Sequence, residues 1–432
     1  MVDYRAIPDE RELFHEYRSY AFRPENGVPA YDPDEHETPR DTLGSRRGLY
    51  ASDDETGSEN PTPRCVCRHY WLEARVRGDA HRTAGLASVA TPPEYRRQGH
   101  VRQLLARSLE EYREHDVRFS ILWPFQYRFY RQYGWDTSNR VLTHDCEPEV
   151  LSFATDERVR GGRFRRLEAN DYGLLESAYE AHADRYGLAL ERDEDWWRHR
   201  VFGGHDRDPF VYAFERGGDG NGDVAGYLVY TIDGEMGDRT MDVSELVFAD
   251  HDAFLALLSF CADHDSQAQR VRLRGPEEIP LRAVARDPDE IDTTVTDGPM
   301  VRLVDVAETL SALSYPDSGV DSVSGSRSDL DADSAPNLES PLTVAVEDPL
   351  ADWNDGVFRL ATSAGEVSCE RLTEDATPDA ALEIGALSQL VVGARSASDL
   401  ERRGRLEATD SGAVETLSAL FPETAVYHGD RY

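Results

Sequence analysis

The chain has 432 residues, too many for one core and enough for about three domains. Its formal net charge is −36, and all 47 basic residues are Arg, with no Lys. That balance leaves little clustered positive charge for a phosphate backbone and argues against nucleic-acid binding, while 20 Tyr, 15 Phe and 6 Trp argue against disorder. An acidic, Lys-free surface suits a cytoplasm rich in salt, because salt screens the self-repulsion of a highly charged folded state. No apolar run reaches the roughly 18 residues of a membrane span. The opening MVDYRAIPDERELF has neither the basic nor the apolar region of a signal peptide, so a cytoplasmic protein is expected.

Residues 1–150 open with a helix over Arg11–Tyr20 and a polar loop from Pro24 to Pro63. Two strands follow, CVCRHYWLEARV and RTAGLASVAT. In the first, Cys65, Cys67 and His69 alternate and share one face. A metal there would need a further ligand, and no second Cys/His pair stands at suitable spacing; buried strand thiols are the plain reading, and no metal is expected. The stretch HVRQLLARSLEEYREHD places Val101, Leu104, Leu105, Leu109 and Tyr112 at helical spacing. VRFSILW is then a buried strand, and YRFYRQYGW a short helix closed by Gly134.

Residues 151–290 repeat this plan with helices in DYGLLESAYEAHADRYG, DEDWWRHRVF and HDAFLALLSFCADHD, and strands in FVYAFER, DVAGYLVYTI, MDVSELVF and RVRLRG. Residues 291–432 begin with MVRLVDVAETLSAL and pass through a Ser/Asp-rich stretch, Pro316 to Pro336, that reads as a flexible insertion. Strands in PLTVAVED, GVFRLAT and GEVSCERL and helices near ALSQLVVG, SASDLERRG and AVETLSALF complete the chain.

The sharpest motif is VATPPEYRRQGHVRQLL, a strand, a loop with Arg96, Arg97 and Gly99, and an amphipathic helix. Free amides and the dipole at a helix N-terminus bind anions. Gly99 lets the backbone approach a pyrophosphate, and the two Arg offer charge-assisted bonds. No Gly-Lys-Ser/Thr follows, so this is not a Walker loop, and the three-glycine dinucleotide fingerprint is missing. The plain alternative is an ordinary strand–helix junction with two solvated Arg.

The junction resembles motif A of the GNAT acetyltransferases, with Val101 departing from the small residue at its last position. Together with FYRQYGWD, it is similar to the enhanced intracellular survival family of N-acetyltransferases. The resemblance covers nearly the whole chain and implies an α+β protein: a catalytic GNAT domain (1–150), a degenerate second GNAT-like domain (151–290) and a sterol-carrier-like domain (291–432). It implies acetyl-CoA as cosubstrate. Val89, Ala90 and Thr91 would hold the pantetheine, and Arg97, Gln98, Gly99, His100, Val101 and Arg102 the pyrophosphate, with Arg96 beside them. Phe125 and Gln126 would line the same cofactor.

Acetylating an amine needs a base to take the amine's proton and an acid for the leaving sulfur. The resemblance makes Tyr130 the acid and the C-terminal carboxylate of Tyr432, delivered into the N-terminal domain, the base. It also implies a homo-oligomer, a hexamer in that family. A primary amine on a small cationic molecule or on a Lys side chain is the expected acceptor. In the second domain Asp250 and Asp252 stand where motif A would place Arg and Gly, so no coenzyme is expected there. The alternative to an enzyme is a lipid-binding or scaffold protein with a vestigial GNAT domain; its expected loss of Arg97, Gly99 or Tyr130 has not occurred.

Overall fold

The computed structural model describes residues 2–7, 11–37, 39–51, 62–156, 162–203, 207–217, 222–316, 340–363, 366–372 and 376–432. The expected Ser/Asp-rich insertion lies, apart from Pro316, outside the described residues. Two units are present, residues 1–138 with 299–426, and residues 139–298 with 427–432.

The first unit is built on a seven-stranded sheet ordered β1 (Val2–Ala6), β2 (Ser45–Ala51), β3 (Cys65–Val76), β4 (Asp79–Ala90), β5 (Phe119–Leu122), β14 (Met300–Leu303), β6 (Asp136–Thr137). Strand β3 is buried on both faces over Cys65–Tyr70, which is why its first half reads as a continuous run rather than an alternation. One face packs under helix α1 (Arg11–Phe22), where Val66 and Ala90 meet Phe14 and Tyr17. The other packs on helix α2 (His100–Glu114), where Cys65 and Cys67 join Leu104, Leu105, Leu109 and Tyr112. The β3–β4 hairpin turns through Arg77 and Gly78, at φ 54° and 94°, the two left-handed positions of a tight hairpin.

A second, five-stranded sheet in this unit runs β17 (Glu366–Arg371), β16 (Gly356–Ser363), β15 (Leu342–Glu347), β18 (Ala380–Glu383), β19 (Leu406–Ala408). It is joined to the first sheet by a buried ion pair, Arg302 to Asp348 at 2.5 Å, with neither side chain exposed. Arg302 also donates to the Tyr133 carbonyl and lies over the Trp135 ring. Gly134, at φ 89°, closes the Tyr127–Arg131 helix (α3), and a Cβ there would run into the Arg302 guanidinium. The Arg77 guanidinium, pulled down to about 10 by burial, donates to the carbonyls of Leu390 and Val391, the C-terminal end of helix Ile384–Val391.

The second unit carries a seven-stranded sheet ordered β13 (Asp292–Asp297), β7 (Arg140–Cys146), β12 (Arg270–Gly275), β11 (Thr240–Phe248), β10 (Asp223–Asp233), β9 (Phe210–Arg216), β8 (Gly162–Leu167). Its core is the apolar helix His251–Ala262 packed on β10 and β11, with Phe254, Leu255, Leu257 and Leu258 buried. The expected boundaries at 150 and 290 do not coincide with these sheets. Strand β7 lies before residue 150 yet pairs with β12 and β13, while β14 lies after residue 290 yet pairs with β5 and β6. Sheet pairing joins strands far apart in sequence, and composition carries no trace of it. The stretch expected as loop from Pro24 to Pro63 contains β2, and its residues 52–61 lie outside the described residues. Among the described residues no helix is long and apolar enough to cross a membrane.

Candidate active site

Strands β4 and β5 run parallel and pair over Thr83–Leu86 and Phe119–Leu122, and the pairing then stops. The β3–β4 register shifts just beyond, around Ser88 at φ 53°. This bulge bends β4 away and leaves Val89 and Ala90 without a strand neighbour on the β5 side. The chain passes through residues 91–99 before α2 begins.

Gly99 caps α2 in the left-handed region, at φ 83°. No side chain bonds the exposed first-turn amides, and no acidic residue stands in that turn. A Cβ at Gly99 would meet no protein atom within 4 Å. The backbone angle therefore demands the glycine, and the bare volume beside it suits a phosphate. Arg97, itself at φ 59°, is exposed and has no ion-pair or hydrogen-bond partner among the described residues. Arg96 donates to the Thr91 carbonyl at 3.0 Å, Arg102 to the Pro349 carbonyl at 2.8 Å, and Gln98 to the Glu94 carbonyl at 2.9 Å. Arg97 is thus the cation left for a ligand.

These elements enclose a groove with about 450 Å³ of internal space. Of the expected residues, Val89, Ala90, Thr91, Arg96, Arg97, Gly99, His100, Val101, Arg102 and Phe125 line it; Gln98 and Gln126 do not. Both ring nitrogens of His100 are buried without a partner, and burial with the nearby Arg64 lowers its pKa, so it is a neutral wall. Ala21 and Phe22 from the end of α1, Tyr95, Phe129 and Tyr133 complete the lining and were not expected. Phe22 and Phe125 are 50% and 65% exposed, an apolar lip that pays a cost in water unless something covers it. The residues fit an acyl-CoA: amides and one unpaired cation for phosphates, and an apolar channel beside open strand backbone for the arm.

Tyr130 does not line the groove. It is 4% exposed and lies against the rings of Phe125, Phe129 and Trp135 at 5.7, 5.1 and 6.4 Å. Burial, with Cys67 nearby, pushes its hydroxyl well above the usual tyrosine range, so the folded chain keeps it protonated. Cys65 and Cys67 are fully buried free thiols, and burial pushes Cys67 up to about 12. His69 meets Ser108 Oγ at 3.1 Å and Cys67 Sγ at 3.3 Å. Among the described residues no group of three or more His, Cys, Asp or Glu is placed to hold a metal.

The corresponding junction of the second unit is built otherwise. Strands β11 and β12 pair in parallel over Thr240–Val243 and Arg270–Leu273, but only residues 249–250 separate β11 from its helix. Asp250 caps that helix, accepting from the Ala253 amide at 3.0 Å, and forms a two-pronged pair with Arg216. The Arg216 bonds hold its carboxyl down at about 2. The amides a phosphate would use are met by the chain's own carboxylate.

Tyr432 lies in the second unit, its ring 6.0 Å from Trp196 and 5.8 Å from His428.

Family models for an acetyltransferase (GNAT) domain match residues 4–138 and 188–303, and one for a sterol carrier protein domain matches residues 307–429. An uncharacterized N-acetyltransferase of Streptomyces avermitilis is 27% identical over 380 residues, 83% of each chain. The N-acetyltransferase Eis of Mycobacterium tuberculosis is 23% identical over 349 residues, 78% of each chain. The crystal structure of a GCN5-related N-acetyltransferase from Anabaena variabilis superposes with a TM-score of 0.79 at 18% identity, covering both chains completely. Two GNAT domains followed by a sterol carrier domain, in a mixed α/β chain with three sheets, make this protein a GNAT-type acyltransferase.

Proposed function

We propose that the chain is an Eis-like N-acetyltransferase that moves an acetyl group from acetyl-CoA to a primary amine of a small cationic molecule or a Lys side chain. One observation carries this reading: Gly99 caps α2 with its first-turn amides bare, beside unpaired Arg97, over a groove of about 450 Å³. Bound acetyl-CoA supplies the acetyl thioester. The amides of His100, Val101 and Arg102 and the Arg97 guanidinium hold its phosphates, and Val89, Ala90 and Thr91 offer backbone to its arm. The apolar wall from Phe22 to Phe125 excludes water along that arm.

Tyr130 is the acid in this reading. That role rests on the family resemblance, because Tyr130 itself does not line the groove; what burial supplies is a hydroxyl that stays protonated across the working pH range. The base is the Tyr432 carboxylate, a role that also rests on the family resemblance. The same resemblance supports a homo-oligomer, and the composition a cytoplasm rich in salt. Retention of Arg97, Gly99 and Tyr130 weighs against a purely scaffolding chain.

Release of coenzyme A with a panel of amines tests the reading; absence of acetyl-CoA binding by calorimetry would end it. Tyr130→Phe is expected to lower kcat by roughly 10²-fold, the scale of one general acid, with little change in acetyl-CoA affinity. Deletion of Tyr432 is expected to lower kcat without changing acetyl-CoA affinity, and an unchanged rate removes the terminal carboxylate from the mechanism.

A further inference from the structure

In the second GNAT sheet, the strands that would open around a pantetheine also part. β11 carries a register shift opposite Val229 and Tyr230 that leaves Ser244 as the extra residue, with Ser244 Oγ donating to the Val229 carbonyl at 3.2 Å. Its parallel pairing with β12 ends at Val243 and Leu273. The cleft beyond is lined by Ser244–Val247 on one side and Arg274–Pro276 on the other. Tyr427, Gly429 and Asp430 of the tail also line it, and the space is about 30 Å³, room for a water or two.

The tail is held by specific bonds. The Tyr427 amide donates to the Gly187 carbonyl at 2.9 Å and the His428 amide to Asn139 Oδ1 at 3.1 Å. His428 is fully buried, its Nδ1 3.1 Å from the Leu188 carbonyl. Asp430 accepts from Trp196 Nε1 at 2.8 Å and from Arg192 Nε at 3.1 Å. Arg192 is 4% exposed at its side chain, lies 3.9 Å from the Tyr179 ring centroid, and donates its other nitrogens to Glu245 on β11 at 2.9 and 2.8 Å. A buried cation bridging a cleft carboxylate and a tail carboxylate makes the tail part of the charge balance of the site: without Asp430 the guanidinium loses one of its two anionic partners.

We propose that the second GNAT domain's acyl-CoA cleft has become a peptide-binding site whose ligand is the chain's own Tyr427–Tyr432 segment, with Arg192 reading Asp430. Arg192 is then a positioning residue for the end of the chain. This deepens the reading in which the Tyr432 carboxylate acts as base, but its test does not pass through turnover.

The full-length protein is treated with carboxypeptidase A, and loss of Tyr432 is followed by mass spectrometry. Trimming of Asp430→Asn is expected to be at least roughly tenfold faster than that of the unmodified chain, the scale of losing one partner of a buried charge pair. Equal rates would overturn the proposal. A second measurement needs no variant. The C-terminally amidated peptide Tyr-His-Gly-Asp-Arg-Tyr, which the protease cannot consume, is added at about millimolar concentration, comparable to that of a tethered tail. It is expected to speed trimming of the unmodified chain, whereas the peptide with Asn for Asp is not; equal effects of the two would overturn the proposal. If the tail docks as described while deletion of Tyr432 leaves the rate unchanged, the base assignment fails and the docking site stands.

Discussion

The two GNAT sheets share a plan and differ at one junction. Each sends a strand through a helix to a parallel neighbour, β4 through His100–Glu114 to β5 and β11 through His251–Ala262 to β12. In the first, residues 91–99 arch over the helix start and a left-handed glycine leaves the amides bare. In the second, two residues make the passage and an aspartate closes them. The cleft beyond the strands holds about 450 Å³ in one case and about 30 Å³ in the other, where Tyr427, Gly429 and Asp430 of the chain's own tail form part of the wall. On the proposed reading, a duplicated fold separates ligand binding from scaffolding by exchanging a cap and a loop length while keeping the sheet.

The strongest way to break the contrast is to give the first junction the second one's cap. Gly99→Asp should cost acetyl-CoA about a hundredfold in affinity, roughly 2.8 kcal/mol. Asp tolerates the left-handed region and its Cβ meets no protein atom, so the circular dichroism spectrum should not change. Undiminished binding by calorimetry would show that phosphates do not sit there.

A smaller effect follows from the smaller cleft. His182 lines it, and burial, with Arg185 and Arg192 nearby, lowers its pKa to about 4. Between that value and the ordinary 6.5, the unfolded chain binds a proton that the folded chain refuses. Stability is therefore lost as pH falls through this window, by up to about 1.4 kcal/mol per unit for this group. His182→Gln should flatten that part of a denaturation series between pH 7 and pH 4; an unchanged slope would assign the acid sensitivity elsewhere.

The smallest change is the reverse exchange. Asp250→Ala should destabilise the protein by about 1 kcal/mol through loss of the cap. Introduced beside Gly99→Asp, it should not restore acetyl-CoA binding, since the passage of residues 249–250 has no room for a phosphate loop. Any coenzyme bound by that double variant would contradict the division of labour.

Much of this contrast is legible in the residues. The 3.6-residue spacing from Val101 to Tyr112 announces its helix, and Arg97 with Gly99 marks the junction proposed as an anion site. Asp250, expected to stand where motif A would place a phosphate-binding residue, is the cap of the corresponding helix. What stayed hidden is non-local. The four residues of β14 carry no sign that they pair with β5, far upstream. The edge strand Asp292–Asp297 is exposed along nearly its whole length and shows no apolar alternation. Phe22, Phe129 and Tyr133 are ordinary aromatics in sequence, and only the folded chain gathers them around one groove. Asp430 sits in a tail whose composition names no partner, and that partner, Arg192, is one Arg among 47.

The seating of Met300–Leu303 between β5 and β6 has a consequence for how the protein is made. During synthesis, residues 1–138 leave the ribosome long before β14 does, so the first sheet waits with the Phe119–Leu122 edge unpaired. An open hydrophobic edge is a hazard for misassembly until its partner arrives. The first sheet is early in the message and late to be completed, and a fragment cut at residue 138 to isolate it would keep that edge permanently bare.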